Sequence, residues 1–384
     1  MSDLGKIKAL FVTNYRELYG ANNSLLQLML ELRTYGVSPT VLLPGGKILP
    51  GNDLTLELDR NDIPYVETRI RLDKHWDWKK TLANYFLALH YRKDAYKAIE
   101  GLDFDLIHSN SSTMSVGAYL AKKLGKPHVW HMREFGDLDY GMRTPFGKWY
   151  QKVIYGGSNT FIAISEQIKK HYSEYIGNQD IRLIYNGIKP SPIRPDKIHD
   201  RVEICIVGLL RKEKGQMQLI EAADKLVNTR DIQNFHITVV GSGDSSYEEM
   251  MKQYVERHGL PEFVTFAGRR NDVPEILTKM DIGVMASSHE AFGRVTVEYM
   301  MAGLAVVASD GGANKEIITD GTTGLIYHNG NVDELTDRLA TLITDLPIRK
   351  RLSKNGQETA LRRFSSKANS DAVFSLYKEI LKKK

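Results

Sequence analysis

Short apolar, β-branched runs recur along the chain, each followed by a stretch with apolar residues at helical spacing. The first half predicts strands at Ile7 to Val12, Thr40 to Leu43, Leu106 to His108, His128 to His131, Thr160 to Ile164 and Arg182 to Tyr185. The second half predicts strands at Glu203 to Val207, His236 to Val240, Phe263 to Phe266, Ile282 to Met285, Leu304 to Val307 and Leu325 to Tyr327. Most of these runs are dominated by apolar residues instead of alternating strictly, the mark of strands buried on both faces. Between the first two lies a helical pattern with Leu25, Leu26, Met29 and Leu32 on one face. Alternation of this kind predicts an α/β protein with parallel sheets covered on both sides by helices.

The pattern breaks once. Asn186 to Pro195 carries Pro190, Pro192 and Pro195, which exclude helix and interior strand. With 384 residues there is room for two domains. The expected division is 1–187, a linker 188–200, a second domain 201–365 and a final helix 366–384. Two Rossmann-like halves facing each other leave an interdomain cleft, a favoured place for a ligand. Composition is that of a globular protein, 42% hydrophobic and 26% charged. The lone Cys205 lies inside an apolar run and reads as a small core residue of a protein kept in a reducing compartment. The first residues do not form a secretory signal, and no window is long enough to span a membrane. A cytoplasmic location is the expectation.

Chemistry is densest in 281–326. Glu290 follows a predicted strand and Glu298 falls in the next helix, so both carboxylates can face a ligand at the strand's carboxyl end. The order Ser287, Glu290, Phe292-Gly293, Glu298, Met300, Gly303, Gly311-Gly312, Glu316, Asp320-Gly321, Thr323-Gly324 resembles the signature of the retaining GT-B glycosyltransferases of family four. The resemblance implies the GT-B fold, two Rossmann-like domains with parallel sheets facing across a cleft. It also implies that the last helix crosses back to the first domain. By residue match Glu298 holds the ribose hydroxyls of a nucleotide and Glu290 contacts the sugar. A carboxylate accepting from two vicinal hydroxyls makes strong, charge-assisted bonds. The backbone N–H groups of Phe292, Gly293 and Arg294 then face sugar or phosphate.

The segment Gly208 to Gln216 joins a strand to a helix start, and Arg211 and Lys214 bring positive charge to it. A departing diphosphate needs such neutralisation. Lys214-Gly215 match the family's Lys-Gly, but Leu209 stands where the family has arginine. Arg211 and Arg294 are the two candidate replacements. Val239-Val240-Gly241-Ser242-Gly243 resembles a family strand end and lacks the third glycine of a dinucleotide motif. Phe266-Ala267-Gly268-Arg269 resembles the segment beside the nucleobase, which makes Gly268 and Arg269 donor-site candidates.

In the first half, Tyr19-Gly20-Ala21-Asn22 opens a helix and partly matches the family's glycine loop, with Gly20 as the candidate for approach to the donor phosphate. His131, ending a strand in Val129 to Glu134, matches a family histidine near the reacting sugar. Two Asp-x-Asp triplets, Asp103 to Asp105 and Asp137 to Asp139, suggest a metal only in isolation; no metal or cofactor is expected beyond the nucleotide diphosphate-sugar. Residues 69–97 hold eight cations against three aspartates, an excess equal to the whole chain's +5, interleaved with Trp76, Trp78, Tyr85, Phe86, Tyr91 and Tyr96. That mixture suits the inner face of an anionic membrane or is the solvated side of a helix whose rings pack on its own domain. No nucleic-acid module accompanies it.

The expected function is a retaining transfer of a hexosyl or N-acetylhexosaminyl group from a UDP-sugar to a saccharide or lipid-linked acceptor in bacterial surface polysaccharide or glycolipid synthesis. The alternatives are a nucleotide-sugar epimerase of the same fold and a non-catalytic sugar-nucleotide-binding subunit.

Overall fold

The computed structural model describes residues 6–48, 51–72, 77–144, 146–156, 159–177, 179–190 and 200–382. Most of the predicted linker, part of the basic aromatic stretch (Asp73 to Trp76) and the last two lysines lie outside them. The chain divides into two compact units, 1–187 with 366–384, and 188–365.

The first unit holds seven parallel strands: β1 (Ile7–Val12), β2 (Val37–Pro44), β3 (Tyr65–Thr68), β4 (Leu106–Ser109), β5 (His128–Met132), β6 (Asn159–Ala163) and β7 (Ile181–Leu183). Their order is β3-β2-β1-β4-β5-β6-β7, so the direction of winding reverses between β1 and β4. One face of the sheet, with Ala9, Phe11, Val41 and Val129, packs on the helices Gly20–Arg33 and Ser366–Lys382 through Leu25, Met29, Val373 and Tyr377. The other, with Leu10, Val12 and Ile107, packs on Ala95, Ile99 and Leu120 from the helices Trp78–Ala98 and Val116–Leu124 and the turn between them. Both faces are covered, which is why most of the strands are dominated by apolar residues. The strand not foreseen, β3, is a half-buried edge preceded by Pro64, with too few apolar positions to stand out.

The second unit holds six parallel strands: β8 (Val202–Val207), β9 (Phe235–Val240), β10 (Val264–Gly268), β11 (Ile282–Met285), β12 (Ala305–Ser309) and β13 (Leu325–Tyr327). The order is β10-β9-β8-β11-β12-β13, with the reversal between β8 and β11. Cys205 lies buried in β8, and burial pushes its thiol pKa far up, so it is a core residue and no nucleophile. Helix Leu346–Phe364 closes this unit, and the chain passes through Ser365 into helix Ser366–Lys382 of the first.

Candidate functional site

Parallel sheets bind ligands outside the carboxyl ends of their strands, at the point where the winding reverses. In the second unit that point lies between β8 and β11, and two loops converge there. The loop after β8 runs through Lys212–Lys214 to Gly215, which has φ +71° and starts helix Gln216–Asp224. A Cβ on Gly215 would stand 2.2 Å from the Ala286 carbonyl oxygen, so only glycine lets this turn lie against the end of β11. The loop after β11 carries Glu290. It rests on Gly311 and Gly312, whose Cβ atoms would fall 2.5 Å from Ser288 O and 2.3 Å from Glu290 N. Ala313 N donates to Glu290 O at 2.9 Å, Ser309 Oγ to Ser287 O at 2.6 Å, and Ser288 N to Glu213 O at 3.0 Å. The loop that holds Glu290 is thus pinned from both sides.

Lys214 Nζ donates to Glu290 Oε1 at 2.5 Å, and Ser287 Oγ donates to the same oxygen at 2.9 Å. Gly293, with φ +80°, ends the loop and begins helix Arg294–Met301. One turn on, Arg294 Nε and Glu298 Oε1 pair at 3.0 Å. Burial pushes the Glu298 carboxyl above its ordinary range, and Arg294 opposes that shift. Phe292 is buried, its ring 5.9 Å from that of Phe364, so its side chain anchors the loop and leaves only its backbone for a ligand. Two cations and two carboxylates therefore stand already matched at this sheet edge.

The remaining candidates lie further out. Arg211 is exposed, and its charge bears on Asp244. Leu209 is 54% exposed at the end of β8. Gly208 marks the place where Gly241 passes, the Gly241 Cβ position being 1.8 Å from Gly208 O. The glycines of the Val-Gly-x-Gly strand end thus serve backbone contact between β8 and β9. Gly268 and the exposed Arg269 end β10, the edge strand. From β11 that is three strand spacings, about 14 Å.

The reversal point of the first unit lies between β1 and β4. Here a network of buried polar groups, most of them not singled out from sequence, occupies the carboxyl edge. Thr13 Oγ1 donates to Asn22 Oδ1 at 2.7 Å, and Asn110 Nδ2 to Ala21 O at 3.2 Å. Arg133 donates to Asn110 and Asn186 side-chain oxygens and, at 3.3 Å, meets His131 Nδ1. His108 Nε2 lies 3.1 Å from His131 Nδ1, and His108 Nδ1 lies 2.6 Å from the Tyr377 hydroxyl on the last helix. Burial and then Arg133 press both histidines well below their ordinary value, so both are neutral. Among the described residues His131 Nε2 is buried with no hydrogen-bond partner. Position was the one hint in the sequence, since Asn110, Arg133 and Asn186 each sit one to three residues past a strand, but their burial shows only in the structure. Gly20 starts helix Gly20–Arg33 with open space where a Cβ would be, on a loop fixed by the buried pair Arg16–Asp53 at 3.0 Å.

The Asp-x-Asp triplets are engaged elsewhere. Asp105 accepts from Lys8 N, Asp103 pairs with Lys8 and Lys126, and Asp137 pairs with His171. Among the described residues no three His, Cys, Asp or Glu side chains are grouped to hold a metal ion.

The basic aromatic stretch divides. Arg92 turns inward to Ser115 and Tyr150, and Ala88 and Ala95 are buried. Leu82 and Phe86, at 62% exposure, point outward. Tyr85 joins them edge-on to Phe146 at 5.6 Å and Tyr150 at 5.1 Å, beside helix Gly147–Tyr155, which exposes Trp149 (66%) and Val153. Lys80, Arg143, Lys148 and Lys152 are exposed along the same two segments. Among the described residues no helix is long and apolar enough to cross a membrane.

Two family models match the chain end to end with each other, glycosyltransferase family 4 over residues 19–191 and glycosyl transferases group 1 over residues 191–359. An uncharacterised glycosyltransferase of Methanocaldococcus jannaschii is 28% identical over 77% of this chain and 82% of its own length. The phosphatidyl-myo-inositol mannosyltransferase of Mycobacterium leprae is 23% identical over 94% of this chain and 93% of its own. A lipopolysaccharide core glycosyltransferase of Rhizobium meliloti is 29% identical over 58% of this chain and 64% of its own. Among solved structures, a Rickettsia africae glycosyltransferase superposes with TM-score 0.80 at 22% identity, covering 99% of this chain and all of that one. Anabaena HepE in complex with UDP and glucose gives 0.75 at 21%, covering 97% of this chain and all of that one.

Proposed function

The chain belongs to the group 1 and family four glycosyltransferases, with the GT-B fold, and on that premise we propose that it transfers a hexosyl-type sugar from a UDP-sugar to a saccharide or lipid-linked hydroxyl with retention at the anomeric carbon. The observation that carries this reading is the pair of matched ions at the β8–β11 reversal, Lys214 with Glu290 and Arg294 with Glu298. A nucleotide diphosphate brings negative charge that draws Lys214 and Arg294 off their carboxylates. Glu290 and Glu298 are then released to accept from sugar and ribose hydroxyls. Ion exchange of this sort places cations on the leaving group and acceptors on the hydroxyls in one event.

In the reaction the bond from the anomeric carbon to the diphosphate oxygen breaks and a bond to the acceptor oxygen forms on the same face. The acceptor proton passes to the departing phosphate. The protein's part is positioning and charge stabilisation, with Lys214 and Arg294 or Arg211 on the diphosphate and no side chain serving as covalent nucleophile. Uridine as the base is supported by the UDP bound to Anabaena HepE, a protein of the same fold. A surface-polysaccharide or glycolipid acceptor is supported by the Rhizobium and Mycobacterium relatives, which act in lipopolysaccharide core synthesis and on phosphatidyl-myo-inositol. The apolar, lysine-rimmed surface around Phe86, Phe146 and Trp149 supports contact with an anionic bilayer where such an acceptor resides.

The decisive experiment incubates the purified chain with UDP-sugars with and without extracts of surface glycolipid. Acceptor-dependent UDP release and a glycosylated product of retained anomeric configuration are expected. A new sugar nucleotide formed from donor alone would establish the epimerase instead. Tight nucleotide binding with no release under any condition would establish a non-catalytic subunit. Sedimentation with vesicles containing phosphatidylglycerol, lost in the Phe86→Ser, Trp149→Ser variant, is the result expected for the membrane surface; equal pelleting of both proteins rejects it.

A further inference from the structure

The loop after β1 buries a cation that holds a carboxylate at the sheet edge. Arg16 Nε donates to Asp53 Oδ2 at 3.0 Å, and Nη2 donates to Thr55 Oγ1 at 3.2 Å. Nη1 donates to Pro44 O at 3.4 Å and to Glu67 Oε1 at 2.6 Å. Asp53 is fully buried and already neutralises the guanidinium. Glu67, with its side chain 40% exposed, is a second carboxylate on the same cation, so the group keeps a negative charge on its outward member. A buried ion pair adds little net stability compared with an apolar substitute. What this one does is hold Glu67 by a single oxygen. Glu67 Oε2 has no hydrogen-bond partner among the described residues. Glu290 in the second unit is tied likewise, through Oε1 to Lys214 and Ser287.

The free oxygen stands 3.7 Å from where a Cβ of Gly45 would be. Both residues line a cavity of about 470 Å³ at the carboxyl ends of β2 and β3, together with Thr68, Arg69 and Asp94. Gly45 N donates to Thr68 O at 2.9 Å and locks the two strand ends together. This is the edge where open α/β sheets bind ligands, and the volume is that of a small-molecule site. Asp94, on helix Trp78–Ala98, makes no hydrogen bond or ion pair among the described residues. The Arg69 guanidinium lies 5.8 Å from the centre of the Tyr91 ring and pairs with no carboxylate among them.

The lining selects its ligand. Ionised Glu67 and Asp94 accept only, and Arg69 donates only. A phosphate meets two carboxylates for one guanidinium. A hydrocarbon chain finds no apolar side chain among the five residues. A sugar ring has hydroxyls that donate to the carboxylates in charge-assisted bonds and accept from the guanidinium. We propose that this cavity is a saccharide subsite of the first unit and takes one uncharged sugar ring of the acceptor. That the ring belongs to the acceptor rests on the glycosyltransfer reading above; that the cavity binds a neutral sugar does not.

Gly45 supplies a plug for the test. A Cβ there would meet Glu67 at 3.7 Å and the Thr68 carbonyl oxygen at 3.9 Å, ordinary contact, so Gly45→Leu fits the fold and fills the cavity. The full chain without nucleotide is titrated with the methyl glycosides of glucose, galactose, mannose and N-acetylglucosamine and with a glucose phosphate, followed by saturation-transfer NMR. At least one neutral glycoside is expected to bind. Glu67→Gln and Asp94→Asn should each weaken it about 10-fold or more, as for a lost hydrogen bond to a charged group. Gly45→Leu should abolish it, and UDP affinity should be unchanged in all three. Binding of no glycoside, tighter binding of the sugar phosphate, or glycoside binding undisturbed by Gly45→Leu overturns the proposal. Should Glu67→Gln fold poorly because it touches Arg16, the other two variants decide. In transfer assays with the glycolipid extract, Asp94→Asn and Gly45→Leu should raise the acceptor KM and leave hydrolysis of the UDP-sugar by water as it is; an equal loss of hydrolysis counts against the subsite. Oligosaccharide freed from that extract by mild acid should compete with the intact glycolipid, and no competition would mean that the lipid and not the ring is held. If the protein turns over no nucleotide sugar, the glycosyltransfer reading falls, and the glycoside titrations still decide the subsite.

Discussion

Lys214 and Glu290 are 76 residues apart in sequence and 2.5 Å apart in space, with side chains 34% and 18% exposed. An ion pair that open to solvent contributes at most about 1 kcal/mol to the fold, too little to explain why three loops and four glycines are arranged to hold it. Under the proposed transfer its use lies in turnover. Lys214→Ala should therefore lower kcat about 10²- to 10³-fold, the usual loss for one charge-stabilising donor, while the urea midpoint moves little. Glu290→Gln should lower kcat as well. It keeps a hydrogen-bonding amide but loses the charge that orients sugar hydroxyls. Steady-state assays of UDP release beside urea titrations check both, and wild-type turnover in either variant refutes the role. At this scale the sequence was informative where chemistry depends on backbone order. The apolar runs before them put Glu290 and Lys214 in strand-to-helix turns and Glu298 in the following helix, and it was the resemblance to a family signature that singled the three out. Asn22, Asn110 and Asn186 could not be singled out. A buried amide looks like any surface asparagine until its strand end is seen beside its neighbour, and nothing in the order Val129 to Glu134 shows that Arg133 is buried.

Glycine also governs how whole elements seat. Gly283, in the middle of β11, would place a Cβ 2.4 Å from the Tyr299 ring. Tyr299 is fully buried, and its hydroxyl accepts from Val207 N at 2.7 Å at the end of β8. Helix Arg294–Met301 is therefore keyed to both central strands by the residue next to Glu298. Gly283→Ala should push that helix outward. The expected result is an overpacking cost of about 1–3 kcal/mol together with weaker UDP binding, although the substituted atom touches no ligand. Calorimetric titration of UDP into the variant reads the second effect, and unchanged affinity would show that helix position and nucleotide binding are uncoupled. The central strands were legible because burial on both faces leaves only apolar choices. β11 and β13 appear with the bounds their apolar runs give. The edge strand β3 was not, because half-exposed positions tolerate Glu67 and Thr68. Part of the basic stretch was legible as one surface helix, but its inward residues were not. Arg92 is as charged as Lys93, and only the packing of Ser115 and Tyr150 around it draws it inside.

At the scale of the molecule, the two units carry different chemistry and report separately. The four tryptophans, Trp76, Trp78, Trp130 and Trp149, all belong to the first unit. Trp130 is fully buried, 4.6 Å from the Tyr155 ring, so its emission changes when that unit opens. The same unit buries His108 and His131, both with values lowered well below 6.5 by burial and by Arg133. The unfolded chain regains the ordinary value, so as pH falls through 6.5 it binds two protons that the folded unit refuses. The stabilisation from neutral imidazoles is complete above 6.5. It declines as pH drops, by about 1.4 kcal/mol per pH unit for each histidine and about 2.7 for the two, until the folded values are reached. Urea unfolding followed by tryptophan emission should therefore lose stability steeply between pH 6.5 and pH 5.5, and UDP, whose expected ligands other than Gly20 lie in the second unit, should not restore the slope. His108→Gln, His131→Gln carries no imidazole at either site and should flatten the dependence even though it starts less stable. A variant as steep as the parent would mean that the acid sensitivity of this unit resides in other groups and that the two histidines take up protons as readily in the folded chain as in the unfolded one.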